Sequence, residues 1–145
     1  MEFTSTDSTL EVNKQHTLTF PLGIPGFDSQ TLYRLHHEEE NPKLFSLISI
    51  DEHAVEFAVA NPTLFKVHYQ ITLTEDETAL LHLNDPADAA VLVMLYQTPE
   101  GETENQQLFP SINANFLGPL IINTVSKIGM QKVLNTAERF VTIQG

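Results

Sequence analysis

The run Phe20-Pro21-Leu22-Gly23-Ile24-Pro25-Gly26-Phe27 limits the folding of this chain more than any other stretch, because prolines, glycines and aromatics crowd into one short segment. Pro25-Gly26 suits the central positions of a type II turn: proline presets φ near about −65°, and glycine takes the positive φ that follows. Ile24 precedes a proline and is steered away from helix into an extended conformation. Phe20 to Ile24 is therefore expected to leave a strand without coiling, and the run Gly23, Ile24, Pro25, Gly26, Phe27 to form a rigid corner. Phe20, Ile24 and Phe27 are too apolar to share a solvated tip, so at least two of them should pin the corner to the core.

On both sides of the corner the chain reads as short strands. Met1 to Thr6, Leu10 to Asn13, His16 to Phe20 and Leu32 to Leu35 alternate, and His36-His37-Glu38-Glu39-Glu40-Asn41-Pro42 reads as an exposed loop. Leu44 to Ile50 suits a strand with a buried face, joined to Val55 to Val59 by a hairpin through Asp51-Glu52-His53. Asn61-Pro62 breaks that pairing and opens a single helical turn before Tyr69 to Leu73 resumes as strand. Thr74-Glu75-Asp76-Glu77 is a capping box ahead of Ala79-Leu80-Leu81 and predicts a helix from Glu75 to about His82.

Ala90 to Tyr96 is so uniformly apolar that it predicts a central strand. Thr98 to Gln107, with Pro99, Gly101 and three glutamates, predicts a mobile loop. Ser111 to Phe116, Leu120 to Asn123, Gly129 to Leu134 and Arg139 to Ile143 complete about ten strands, with a bend at Gly118-Pro119. Many short strands, one or two helical turns and no βαβ alternation give an all-β, mainly antiparallel fold class: a small barrel-like or sandwich domain. At 145 residues one domain spanning 1–145 is expected.

Charge narrows the function. Seven Lys and Arg against nineteen Asp and Glu give a net charge of −12, which repels phosphate backbones and attracts basic partners. Direct nucleic-acid binding is not expected. The N-terminus has neither the basic region nor the apolar core of a secretory signal, and no apolar run approaches a membrane span, so a soluble cytoplasmic protein is expected. The chain has no cysteine, hence no disulfide, thiolate catalysis or zinc-thiolate site.

No catalytic set is legible. The serines lie in no Gly-x-Ser-x-Gly elbow, the glycine-rich corners have no phosphate-loop lysine, and the six histidines form no His-Glu-x-x-His pair. Glu56 lies inside a predicted strand between Val55 and Phe57, and alternation turns it outward to solvent. The expectation is no enzyme, no metal and no cofactor.

The C-terminal strands complete a pattern that resembles the FliW family of flagellar assembly factors. Its pieces are Gly23 to Phe27, the strand Leu44 to Ile50, Asn61-Pro62 with Phe65 and Tyr69, Gly118-Pro119-Leu120-Ile121-Ile122-Asn123, and Gly129-Met130-Gln131-Lys132-Val133-Leu134. In order and spacing they cover roughly residues 8 to 135. The chain departs from the family pattern at Leu22, commonly Asn, and at Asn115-Phe116-Leu117-Gly118-Pro119, commonly Asn-Leu-x-Ala-Pro. The resemblance implies a non-enzymatic, barrel-like regulator that binds the translational regulator CsrA, relieves its repression of flagellin messenger RNA, and binds flagellin as a competing partner. It favours an allosteric mode of CsrA inhibition. A flagellin chaperone without CsrA control is the alternative, and a small hydrolase or sugar-binding barrel a third.

For a basic partner, the densest acidic surface outside loops is Glu75, Asp76, Glu77, Asp85 and Asp88, whose other reading is helix capping and solvation. Phe65 and Tyr69 could line an apolar patch for a flagellin helix, with core packing the alternative. Gly23, Ile24, Pro25, Gly26, Phe27, Pro119, Asn123, Gly129 and Gln131 form the structural motif, Asn123 and Gln131 being read as hydrogen-bonding groups at strand ends.

Overall fold

The computed structural model describes residues 1–4, 16–24, 26–27, 29–37, 44–52, 55–65, 67–97, 112–134 and 140–142. In chain order the strands are β1 Glu2–Thr4, β2 His16–Thr19, β3 Leu32–His37, β4 Leu44–Ser49, β5 Glu56–Ala60, β6 Val67–Thr72, β7 Ala89–Gln97, β8 Ile112–Ala114, β9 Leu120–Asn123, β10 Ile128–Gln131 and β11 Phe140–Thr142. A helix, α1, covers Glu75–Leu81.

Seven strands, in the order β5-β4-β3-β2-β10-β9-β7, close into a barrel where β5 pairs with β7. The pairings are antiparallel except between β2 and β10, which run parallel with Ile128 opposite Thr19. A second layer, β1-β6-β11, lies with β6 in the middle. The mainly antiparallel barrel-like fold is the one predicted, and alternation alone did not reveal the parallel contact or the separate three-stranded layer.

The wall made of β7, β9 and β10 is buried on both faces. Ala90, Leu92, Leu120 and Ile122 face the barrel interior with Leu18, Phe20, Tyr33, Leu35 and Leu47. Ala89, Val91, Val93, Ile121 and Met130 face the other way, into a second core with Tyr69, Ile71, Leu81 and Leu83 from the covering layer and α1. A strand with two buried faces has no polar side to show, which explains the uniformly apolar run from Ala89.

The corner folds as its residues dictate. The Phe27 amide donates to the Ile24 carbonyl at 2.7 Å and Gly26 has φ +90°, while the Gly23 amide returns to the Phe20 carbonyl at 2.8 Å. Phe20 and Ile24 are buried, and Phe27 stays 40% exposed. Phe20 is seated on Gly129 of β10: a Cβ added at Gly129 would lie 2.8 Å from Cε2 and Cζ of the ring. The opening corner and the late Gly-x-Gln segment therefore share one contact.

Other elements follow local rules. Asn61 Oδ1 accepts from the Thr63 amide at 3.0 Å and starts a 3-10 turn at Pro62–Phe65. At α1 the Glu77 amide donates to Thr74 Oγ1 at 3.2 Å and the Thr74 amide to Glu77 Oε1 at 2.8 Å, closing the capping box. His82 ends the helix in the left-handed region, φ 54°.

Some expectations change. His36 and His37 lie within β3 and pair with Ser46 and Phe45, so the polar run does not begin there; cross-strand pairing outweighs polarity at a strand end. β10 stops at Gln131, although Lys132 and Leu134 still donate backbone bonds to Pro119 and Leu117. The predicted strand Leu10 to Asn13 and loop Thr98 to Gln107 lie outside the described residues.

Gly26 and Gly129 should respond differently to a methyl group. The space around a Cβ at Gly26 is open, so Gly26→Ala is expected to cost about 1–2 kcal/mol from backbone conformation alone. Gly129→Ala drives a Cβ into Phe20 and should cost about 1–3 kcal/mol as overpacking. Urea unfolding of Gly26→Ala, Gly129→Ala and Phe20→Leu, and of each glycine variant combined with Phe20→Leu, separates the two causes: Gly129→Ala with Phe20→Leu should be strongly non-additive, whereas Gly26→Ala should simply add to Phe20→Leu.

Candidate protein-binding surface

The acidic residues singled out by sequence divide once their contacts are known. Glu75 and Asp76 are exposed in the first turn of α1, and neither side chain has a partner among the described residues. Glu77 is half-buried and committed, its carboxylate accepting from Lys132 Nζ at 3.0 and 3.1 Å while also closing the capping box. Lys132 is itself only 8% exposed, a desolvated cation held by that bidentate contact, so the pair fastens α1 to the segment after β10. Asp85 is exposed, but its carboxylate accepts from the Ala87 amide at 2.9 Å and caps a 3-10 turn at Pro86–Asp88. The half-buried Asp88 gives its carbonyl to the Thr124 amide and hydroxyl. Glu75 and Asp76 are therefore the pair best placed to meet a cation from outside.

The aromatic pair is not a surface patch. Tyr69 is fully buried in the core and its hydroxyl donates to the Phe116 carbonyl at 2.6 Å, which removes it from any contact with a partner. The strand's period puts Val67, Tyr69 and Ile71 on the face pressed against the barrel wall. Phe65 is half-buried, with its ring edge-on to Phe116 at 5.5 Å between centroids.

The late motif residues act as fasteners. Asn123 Nδ2 donates to the carbonyls of Leu81 and His82 at 2.9 and 3.0 Å, satisfying the C-terminal end of α1. Its Oδ1 accepts from the amides of Val125 and Ser126 and shapes the β9–β10 turn. Gln131 Nε2 donates to the Gly118 carbonyl at 2.9 Å, across a space that a Cβ on Gly118 would narrow to 2.7 Å. Pro119 accepts the Lys132 amide at 2.9 Å. α1 is thus tied at its start by Lys132 and at its end by Asn123.

What sequence reasoning missed is a set of exposed apolar residues. Leu22 and Leu117 both lie in segments that depart from the family pattern, and both are exposed, as is Val133. Among the described residues no three of His, Asp and Glu converge as a metal site, and no helix is long and apolar enough to cross a membrane.

A family model described as FliW protein matches residues 3–143. The chain belongs to the FliW family. It is 34% identical over 125 residues to the flagellar assembly factor FliW of Chromobacterium violaceum, covering 85% of each chain. It is 34% identical over 133 residues to the flagellar assembly factor FliW 1 of Desulfotalea psychrophila, covering 91% of this chain and 89% of that one. A crystal structure of the flagellar assembly factor FliW superposes with a TM-score of 0.68 at 25% identity, over 88% of this chain and 83% of its own. In this member of the family Asn123 and Gln131 act as internal fasteners, and Glu75 and Asp76 stand exposed at the start of α1.

Burial pushes the phenol of Tyr69 far above its ordinary value of 10.0, and that of Tyr33 in the same direction. The folded chain thus holds these protons more tightly than the unfolded chain; the associated stability is complete below about pH 10 and is lost as pH rises beyond it. Tyr69→Phe should lose about 1 kcal/mol at neutral pH with the bond to Phe116. It should also lose stability less steeply than the parent between about pH 10 and 11.5, read as urea midpoints; an unchanged alkaline slope would show that Tyr69 titrates alike folded and unfolded.

Proposed function

We propose that the chain is a non-enzymatic cytoplasmic regulator that binds a CsrA-type translational regulator, relieves its repression of flagellin messenger RNA, and exchanges that partner for flagellin. Membership of the FliW family is the observation that carries the reading, since the relatives are flagellar assembly factors. The physical chemistry agrees with it. A net charge of −12 suits a basic protein partner and disfavours direct contact with RNA. Glu75 and Asp76 offer carboxylates not already spent on the fold. Inhibition of CsrA beside its RNA site, not over it, is the mode this reading adopts.

Purified chain is expected to form a stoichiometric complex with CsrA that weakens as salt rises, and flagellin should displace CsrA from it. Glu75→Lys with Asp76→Lys should slow association with CsrA and flatten its salt dependence while leaving dissociation nearly unchanged, as rim charges do. Stopped-flow kinetics at two ionic strengths measure both. No binding of either partner at low salt would overturn the reading, and flagellin binding without any CsrA complex would leave a chaperone role in its place.

A further inference from the structure

The strand register fixes which elements share each end of the barrel. Leu32 opens β3 opposite Thr19 at the end of β2, Ser49 ends β4 opposite Tyr33, and Glu56 opens β5 opposite Ile48. β7 runs past β5 beyond Met94, Leu120 opens β9 opposite Leu92, and Gln131 ends β10 opposite Leu120. The corner, the β4–β5 hairpin, the segment before β9 and the segment after β10 therefore gather at one mouth.

That mouth collects the exposed apolar side chains. Seven large hydrophobic residues are strongly exposed among those described, and five of them, Leu22, Phe27, Leu32, Leu117 and Val133, lie at this end. Leu117 and Val133 are neighbours, because the Leu134 amide donates to the Leu117 carbonyl at 2.7 Å. Phe27 leans edge-on against Phe57 of β5, with centroids 5.2 Å apart. Apolar residues scattered singly need no explanation, but a concentration of them at one rim does.

Hydrogen bonds stiffen the rim. Pairing between β5 and β7 is confined to Val59 with Met94 and Ala60 with Val93, and nearer the mouth Leu95–Gln97 pair with β8. Ser49 Oγ donates to Gln30 Oε1 at 2.6 Å and accepts from the Glu52 amide at 3.1 Å, and the Ile50 amide donates to the Leu32 carbonyl at 3.0 Å. A preformed lip of this kind loses little entropy on binding.

Among the described residues the exposed charges of the β4–β5 hairpin are acidic. Asp51 and Glu52 are exposed on the lip, while Glu56 faces outward on the barrel's flank with Arg34, both opposite Ile48. Lys132, the nearest cation on β10's extension, is buried and held by Glu77, and Arg34 points outward between the inward-facing Tyr33 and Leu35. An apolar rim with an acidic lip complements apolar side chains flanked by cations and repels an acidic segment.

We propose that this mouth is a docking surface for a peptide segment bearing large apolar side chains flanked by lysine or arginine, the apolar groups covering Leu22, Leu117 and Val133 and the cations meeting the lip. The inference stands on the mouth alone and holds whichever partner supplies the segment.

The test titrates three synthetic peptides of equal length into the isotope-labelled full chain: alternating Leu and Lys, alternating Leu and Glu, and alternating Ser and Lys. The Leu–Lys peptide should shift the amides of Leu22, Leu117 and Val133 at saturable concentration, with the other two binding far more weakly. Leu117→Ser with Val133→Ser should weaken the Leu–Lys peptide about tenfold, the loss expected of a desolvated apolar anchor. Val125→Ser, an exposed valine in the β9–β10 turn at the opposite end, should leave it unchanged. Four results would overturn the proposal: no binding, equal binding of the Ser–Lys peptide, shifts confined to Glu75 and Asp76, or shifts at the mouth on raising protein concentration alone, which would assign it to a second copy of the chain.

Discussion

The wall of β7, β9 and β10 is the constraint on which the rest of the structure depends, because both of its faces must be covered. Its inward face closes the barrel core and its outward face needs the β1-β6-β11 layer and α1. Phe20 on Gly129 marks where the wall meets the corner: the ring occupies space that any side chain at 129 would take. On the outer side, Lys132 and Asn123 grip the two ends of α1 from residues on or beside the wall. Buried polar groups that are fully paired contribute geometry more than net energy, and here they fix where a short helix sits.

This arrangement explains why the motif segments are so far apart in sequence and yet function together. The corner supplies Phe20, the segment at 118–123 supplies Gly118 and Asn123, and the segment at 129–132 supplies Gly129, Gln131 and Lys132. Each makes a contact that another segment completes. Their work is internal, and the surfaces proposed for recognition are the first turn of α1 and the mouth of the barrel. The two differ in kind, one being charged and solvated, the other apolar with an acidic lip.

Much of this was legible wherever a local rule governed. The turn at Ile24 to Phe27, the 3-10 turn after Asn61, the capping box at Thr74 and the central position of β7 all follow from a few adjacent residues, and the structure has each of them. What escaped was non-local. Alternation says that Tyr69 has a partner face but not which layer supplies it, so a residue offered as a surface aromatic is instead fully buried between β6 and the wall. Nothing local ties Lys132 to Glu77, fifty-five residues earlier, because only the fold brings them together. The apolar mouth was illegible for the same reason: Leu22, Leu117 and Val133 are distant in sequence and meet only through strand register.

Native-state hydrogen exchange tests the primacy of the wall most directly. If both cores rest on it, the amides of Val91, Ile121 and Met130 should exchange only through global unfolding, with free energies equal to that from urea denaturation, while amides of β1 and β6 exchange through a smaller local opening. Exchange of the wall amides through an opening smaller than that of β6 would contradict it, and would make the covering layer, not the wall, the foundation of the fold.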